Sequence, residues 1–234
     1  MAVSDQSSWV VDNWVRVARQ IEDACESVGR PADAVRLLPV SKTVSVDLIR
    51  ELMSAGVTTF AENRVQEMTR KALELGDEAR WVMIGALQRN KAVPTCRVTA
   101  EVQTVDSLPL AEALERACAR IRPDSRLTVL VEVNSSGEQT KAGVRVDEVM
   151  GFTSDLRCLP HLDVRGLMTV AHPDPVLAEQ CFRTMADLKA RLQDRDGSGW
   201  QELSMGMSSD FTSAIAHGST CVRVGTAIFG RRVA

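Results

Sequence analysis

From about residue 36 onward, short runs of branched apolar residues alternate with longer stretches in which apolar positions recur every three or four residues. The first pattern suits buried strands and the second suits amphipathic helices. The apolar runs predict eight strands, at 36–41, 58–61, 81–85, 98–105, 127–134, 164–170, 202–207 and 221–228. Between them, Val44, Leu48 and Leu52 mark a helix closed by Gly56, and Val65, Met68, Ala72 and Leu75 mark another closed by Gly76. Leu110, Leu114, Ala117 and Ile121 follow Ser107, a candidate N-cap. Leu177, Phe182, Met185, Leu188 and Leu192 form a longer helix before the Asp-Gly-Ser-Gly turn at 196–199. One more helix opens the chain on Val10, Trp14, Val17, Ile21 and Val28, and Gly29, Arg30 and Pro31 end it.

Strands alternating with helices predict an α/β fold with a parallel sheet. Eight such units in 234 residues fit a single-domain (β/α)8 TIM barrel over 36–230, with the helix within 1–30 as an addition. An open doubly wound sheet is the alternative. However, no G-x-G-x-x-G follows the first strand, and no G-x-x-x-x-G-K-[ST] occurs anywhere. Nothing along 1–234 reads as a linker or a repeat, which predicts one domain.

Charge narrows the partners. A formal net charge of -3 leaves no basic excess for neutralising nucleic-acid phosphates or an anionic membrane, so the partner expected is a small molecule. The polar start, Met-Ala-Val-Ser-Asp-Gln-Ser-Ser, is no export signal, and no later segment has the apolar length of a membrane span, so a cytoplasmic location is expected. The six cysteines form no C-x-x-C pair and do not group with His161, His172 or His217 at zinc spacing. They read as reduced, structural thiols, with no metal site expected.

In a parallel barrel the reactive groups sit where strands end. Lys42 follows the apolar run Leu37-Leu38-Pro39-Val40, where desolvation lowers an amine's pKa and frees it to attack a carbonyl. A lysine after a strand also commonly reaches solvent, and position alone does not choose between the two. The segment Ser204-Met205-Gly206-Met207-Ser208-Ser209-Asp210 adds an anion-binding character. Gly206 permits close backbone approach, Ser208 and Ser209 carry donors, and a helix start follows over 211–217. In the next strand Gly225 and Thr226 offer a second set of phosphate donors, and the last two strand loops are the usual phosphate site of this fold.

Arg223 alternates with Val222 and Val224 and so faces away from them inside a buried strand. It needs a partner, either a pyridine ring nitrogen or a carboxylate such as Glu62 or Glu132. Asn63 is a candidate cofactor contact. Glu62, Gln66, Gln88 and Lys91 read equally well as solvated or capping residues. Asn134 and Lys141 flank a polar loop that can border the site, and His172 is a weaker candidate.

Six segments in order resemble one known family. They are Val40-Ser41-Lys42-Thr43, 61–67 (Ala-Glu-Asn-Arg-Val-Gln-Glu), 84–91 (Ile-Gly-Ala-Leu-Gln-Arg-Asn-Lys), Gly166-Leu167-Met168, 203–208 (Leu-Ser-Met-Gly-Met-Ser) and 222–230 (Val-Arg-Val-Gly-Thr-Ala-Ile-Phe-Gly). The chain is similar to the YggS/PROSC group of pyridoxal phosphate homeostasis proteins over essentially its whole length. The resemblance implies a barrel like the N-terminal domain of alanine racemase and pyridoxal 5′-phosphate held as an aldimine on Lys42. It also implies phosphate contacts around Ser208, Gly225 and Thr226, with Arg223 near the pyridine nitrogen, and Asn63, Ser204, Gly206 and Met207 are expected to contact the cofactor as well. The chain departs from the family pattern at Ala61, Arg64, Val82, Met83 and Ala86, all outside Lys42, Arg223 and the two phosphate segments.

The role implied is that of a carrier in cofactor homeostasis; apo-enzymes are the expected recipients, no catalytic residues are expected, and the reading as one domain favours a monomer. A weak racemase-like enzyme is the alternative. A racemase needs acid–base groups on both faces of the substrate Cα, and the second base of alanine racemase is a tyrosine from another domain. This chain has no tyrosine and reads as one domain. A lysine-dependent aldolase would also fit a barrel with a phosphate site, but would not require Arg223.

Overall fold

The computed structural model describes residues 8–230. The first seven and last four residues of the expected 1–234 domain lie outside it. Eight parallel strands form a ring: β1 (Arg36–Pro39), β2 (Thr59–Glu62), β3 (Arg80–Met83), β4 (Thr99–Val105), β5 (Leu127–Asn134), β7 (Leu162–Met168), β8 (Glu202–Ser204) and β9 (Cys221–Val224). Their order is β1-β9-β8-β7-β5-β4-β3-β2, and a bridge between Val40 and Ala61 brings β1 against β2. A two-residue strand, β6 (Val144–Arg145), pairs with β5 off this path. The expected eight-stranded barrel is therefore the fold.

Helices follow the strands as the apolar spacing requires. They are α1 (Trp9–Ser27), α2 (Val46–Ser54), α3 (Val65–Leu75), α4 (Ala92–Val98), α5 (Leu108–Ile121), α6 (Val149–Leu156), α7 (Pro175–Asp196), α8 (Phe211–Ala216) and α9 (Thr226–Phe229). The Ser8 side chain caps α1, and α1 packs Val10, Val17 and Ile21 inward. It is tied to the end of the chain by Asn13 Nδ2, 3.1 Å from the Ile228 carbonyl, and by Arg16, 2.9 Å from the Ala227 carbonyl.

Several local expectations are corrected. The last strand ends at Val224 rather than 228, and 226–229 is helical, with the Ile228 and Phe229 amides bonded back to the Gly225 carbonyl. A short apolar run such as Thr-Ala-Ile-Phe does not distinguish strand from buried helix by periodicity. The seventh strand stops at Ser204, because Gly206, at φ 97°, turns the chain away. The segments that form α4 and α6 contain too few periodic apolar positions to declare themselves in the sequence. Ser107 does occupy the N-cap position of α5, but its hydroxyl meets the Asp106 carboxylate instead of a helix amide.

The main core lies between the sheet and the surrounding helices. The barrel interior is separate and divided. One side is apolar, built from Leu38, Val40, Ala61, Val82 and Cys221 with Ile84 packed on them. The other side is polar and contains Glu101, Gln103, Ser204 and Arg223, all buried. Alternation places these residues on the inward face of their strands, and bonds between strands that are not ring neighbours require that they meet inside the barrel.

Candidate functional site

Ring closure brings the residues expected at the site onto four consecutive strands, β8, β9, β1 and β2. Lys42 follows the end of β1, where the Val40 amide donates to the Val224 carbonyl and the Ser41 amide donates to the Ala61 carbonyl. Lys42 is half-buried. Gly225, at the end of β9, lies so close to β1 that a Cβ there would sit 3.3 Å from the Val40 carbonyl oxygen. Asn63 follows β2, is half-buried, and makes no side-chain hydrogen bond among the described residues.

The two glycine-containing loops meet. The Ala227 amide donates to the Ser208 hydroxyl at 3.4 Å, which joins the loop after β8 to the first turn of α9. The Met207 amide is taken by the Asp210 carboxylate at 2.6 Å, which leaves the half-buried Ser208 hydroxyl and the exposed Thr226 as donors on this side. Thr226 is exposed, and Gly206 is buried against Phe211 and Ala214.

Arg223 is 4% exposed and sits at the head of a hydrogen-bonded chain. Its Nη1 donates to the Ser204 hydroxyl and its Nη2 to the Thr169 carbonyl, each at 2.7 Å. Ser204 donates to Gln103 Oε1 at 2.7 Å, and Gln103 Nε2 donates to Glu101 at 2.6 Å. Glu101 in turn receives both guanidinium nitrogens of Arg36, at 2.9 and 3.0 Å. The fixed charge of Glu101 sets the direction of every donor above it, because only the amide nitrogen of Gln103 can face a carboxylate. Ser204 is thus engaged on both sides and braces Arg223. Neither carboxylate considered from the sequence bonds to Arg223. Burial pulls the Arg223 pKa down, against the opposing pull of the Glu132 and Asp210 carboxyl groups.

Glu62 lies outside the solvated class expected for it. It is fully buried and pairs with Lys71 Nζ at 2.7 Å. Lys71, itself 0% exposed, also donates to the Ser41 carbonyl at 2.7 Å and to Glu67 at 2.8 Å. Glu67 accepts the Thr43 amide at 2.7 Å. Burial raises the Glu67 carboxyl's pKa, but the Lys71 and Thr43 hydrogen bonds with the Lys71 and Arg70 charges outweigh it and hold the group below the usual range. Burial dominates at Glu62 and pushes its pKa up despite Lys71 and Ser41.

The sequence reading did not single out Lys71, Glu101, Gln103 or Thr169. Lys71 carried a signal: it lies three residues after Met68 and four before Leu75, on the apolar stripe of α3, and four after Glu67. Glu101 and Gln103 carried another, two polar residues in alternate positions of a strand expected to be buried on both faces. Other candidates stay at the periphery. Gln66 and Gln88 are exposed and Lys91 is half-buried. Asn134 ties its own loop together through the Glu138 and Lys141 carbonyls, Lys141 pairs with Glu138 at 2.6 Å, and His172 Nδ1 accepts the Asp174 amide at 3.0 Å. Among the described residues no cluster of metal-ligating side chains occurs, and no helix is long and apolar enough to cross a membrane.

The chain is similar to known proteins in sequence and fold. Residues 15–233 match the family described as alanine racemase, N-terminal domain. The chain is 38% identical over 227 residues to the pyridoxal phosphate homeostasis protein of Pseudomonas aeruginosa, covering 96% of each. Among solved structures it is similar to PipY of Synechococcus elongatus with pyridoxal phosphate bound, at 33% identity and a TM-score of 0.77, covering 90% of this chain and 100% of that one. Alanine racemase from Corynebacterium glutamicum, at 17% identity and a TM-score of 0.67, shares the fold over 96% of this chain and 62% of its own. By these likenesses the chain belongs to the family of pyridoxal phosphate homeostasis proteins.

Proposed function

We propose that this protein binds pyridoxal 5′-phosphate, carries it as a Schiff base on Lys42 and serves its homeostasis by delivering it to apo-enzymes. The observation that carries the reading is the convergence of Lys42, the Ser208 loop and the Gly225–Thr226 turn on adjacent strands, with Arg223 held between neutral acceptors. A relative of the same fold, PipY, has pyridoxal phosphate in its structure.

The residues fit the group. Ser208 and Thr226 would take the phosphate, and Gly225 leaves room where its strand meets β1. Asn63 would border the ring from β2. Arg223 would face the pyridine nitrogen, and because a guanidinium keeps its protons, it would leave that nitrogen unprotonated. When bound, the cofactor supplies an aldehyde for amines and an electron sink, which a neutral ring makes weak. Lys42 holds the aldehyde, Arg223 keeps the ring uncharged, and Gln103 and Ser204 hold Arg223 in place. This favours a carrier over a turnover enzyme, and the absence of tyrosine from the chain favours it too. A cytoplasmic monomer is the form proposed.

The test is absorbance of the purified protein with pyridoxal phosphate before and after borohydride, followed by mass mapping of the reduced adduct. A visible band and a label on Lys42 are expected. No chromophore after reconstitution, or a label on another lysine, rejects the assignment. Cofactor transfer to an apo-enzyme, measured beside Cα proton exchange on a panel of amino acids, separates carrier from enzyme. Transfer outpacing exchange is the expected result.

A further inference from the structure

Two peptide groups flank Lys42, and α3 holds both. The carbonyl on one side, from Ser41, accepts from Lys71 Nζ at 2.7 Å. The amide on the other side, from Thr43, donates to Glu67 at 2.7 Å. Lys71 and Glu67 are joined at 2.8 Å, so the two tethers form one clamp. Within that clamp Thr43 adopts φ 63°, and it is the one non-glycine residue with positive φ among those described. A β-branched residue in the left-handed region costs on the order of 1–3 kcal/mol and persists only where its surroundings over-determine it.

Lys71 is saturated. Its ammonium has three donors, and these meet the Ser41 carbonyl, Glu62 and Glu67. A fully buried ion cluster is a poor source of stability, since desolvation offsets most of the attraction and an apolar side chain of similar volume often serves better. What an apolar residue on this stripe of α3 cannot do is hold a backbone carbonyl at a fixed place. We propose that Lys71 is a positioning residue for cofactor attachment, fixing through Ser41 and, by way of Glu67, through Thr43 the turn from which Lys42 reaches the aldehyde. This rests on the reading that Lys42 forms the Schiff base.

The test uses two probes on the full chain. Pyridoxine 5′-phosphate carries the ring and phosphate but no aldehyde, so its affinity reports the binding site alone. The absorbance band formed with pyridoxal 5′-phosphate reports attachment to Lys42. Lys71→Met is expected to keep its affinity for pyridoxine phosphate while the band forms roughly 100-fold more slowly, the scale of a small misplacement of a reacting group. Glu67→Gln, whose amide oxygen still accepts from Thr43 and Lys71, is expected to form the band at close to the native rate, and Glu67→Leu is expected to slow it. Equal loss of both probes, or native attachment in Lys71→Met, overturns the inference. If Lys71→Met does not fold, Glu67→Leu carries the same comparison. If the native protein binds pyridoxine phosphate yet forms no Schiff base on Lys42, the functional reading fails by itself. Hydrogen exchange in the ligand-free protein then decides the clamp. The Thr43 amide is expected to be protected and to exchange faster in Glu67→Leu and Lys71→Met, and unchanged exchange overturns it.

Discussion

Arg223 meets Ser204 at 2.7 Å, and the hydroxyl it meets is already pointed at Gln103. The guanidinium is therefore held without being neutralised by a directly bonded carboxylate. Gln103→Leu would strand the Ser204 hydroxyl and remove a donor from Glu101, all in the barrel interior, and should cost about 2–3 kcal/mol in urea unfolding. Ser204→Ala should cost about 1–3 kcal/mol. Because the two residues share one chain, the double variant should lose less than the sum, with a coupling of about 0.5 kcal/mol or more. Strict additivity would mean that the chain does not act as a unit.

Glu132 governs a pH dependence. It is 9% exposed and its Oε2 has no hydrogen-bond partner among the described residues. Burial and the Asp106 charge raise its pKa against the pull of Arg223, to about 7. The folded protein thus keeps a proton that the unfolded chain releases near the ordinary glutamate value. Its contribution to stability is complete below that value and is lost as pH rises through about 7. The loss is on the order of 3 kcal/mol. Glu132→Gln should flatten the decline in the urea midpoint between pH 5 and 8, and parallel curves for the two proteins would refute the assignment.

Gly206 is needed for its backbone and for its lack of a side chain. Its φ is 97°, and a Cβ would come within 2.7 Å of the Ala214 Cβ. Its carbonyl also accepts the Arg223 amide at 3.0 Å. Gly206→Ala should destabilise by about 1–3 kcal/mol and weaken binding of pyridoxine phosphate. Adding Ala214→Gly should relieve the contact but not the backbone strain, so thermal unfolding should recover only in part. Full recovery would show that the backbone conformation is unimportant.

At Gly85 the obstacle is backbone alone. A Cβ would sit 2.2 Å from the Asn63 carbonyl oxygen and 2.7 Å from its Cα. No side-chain rotation relieves that clash, so Gly85→Ala must part the loops after β2 and β3. A loss of about 1–3 kcal/mol is expected, the usual scale of overpacking. Weaker retention of pyridoxal phosphate should accompany it, measured by absorbance after gel filtration. Native stability and retention would indicate that these loops are pliable.

The barrel was legible in the sequence because burying one face of a strand or helix imposes its period on neighbouring residues, and that period survives in a linear reading. Lys42, Arg223 and the Ser208 and Gly225 loops were legible as candidates for a related reason, since each stands at a strand end or within a strand. The residues around them were not. Gln103 and Ser204 are 101 positions apart, and Arg36 and Glu101 are 65 apart. Lys71 is 30 residues from the carbonyl it holds. The α9 segment, read as strand, became helix once Gly225 ended β9 and Ile228 packed into the core. By itself, then, the sequence determined most of the elements, their alternation and the candidate chemistry at the strand ends. Only the tertiary structure decided which polar residues face one another inside the ring. Hydrogen bonds and ion pairs depend on distance in space, and ring closure sets those distances independently of separation along the chain.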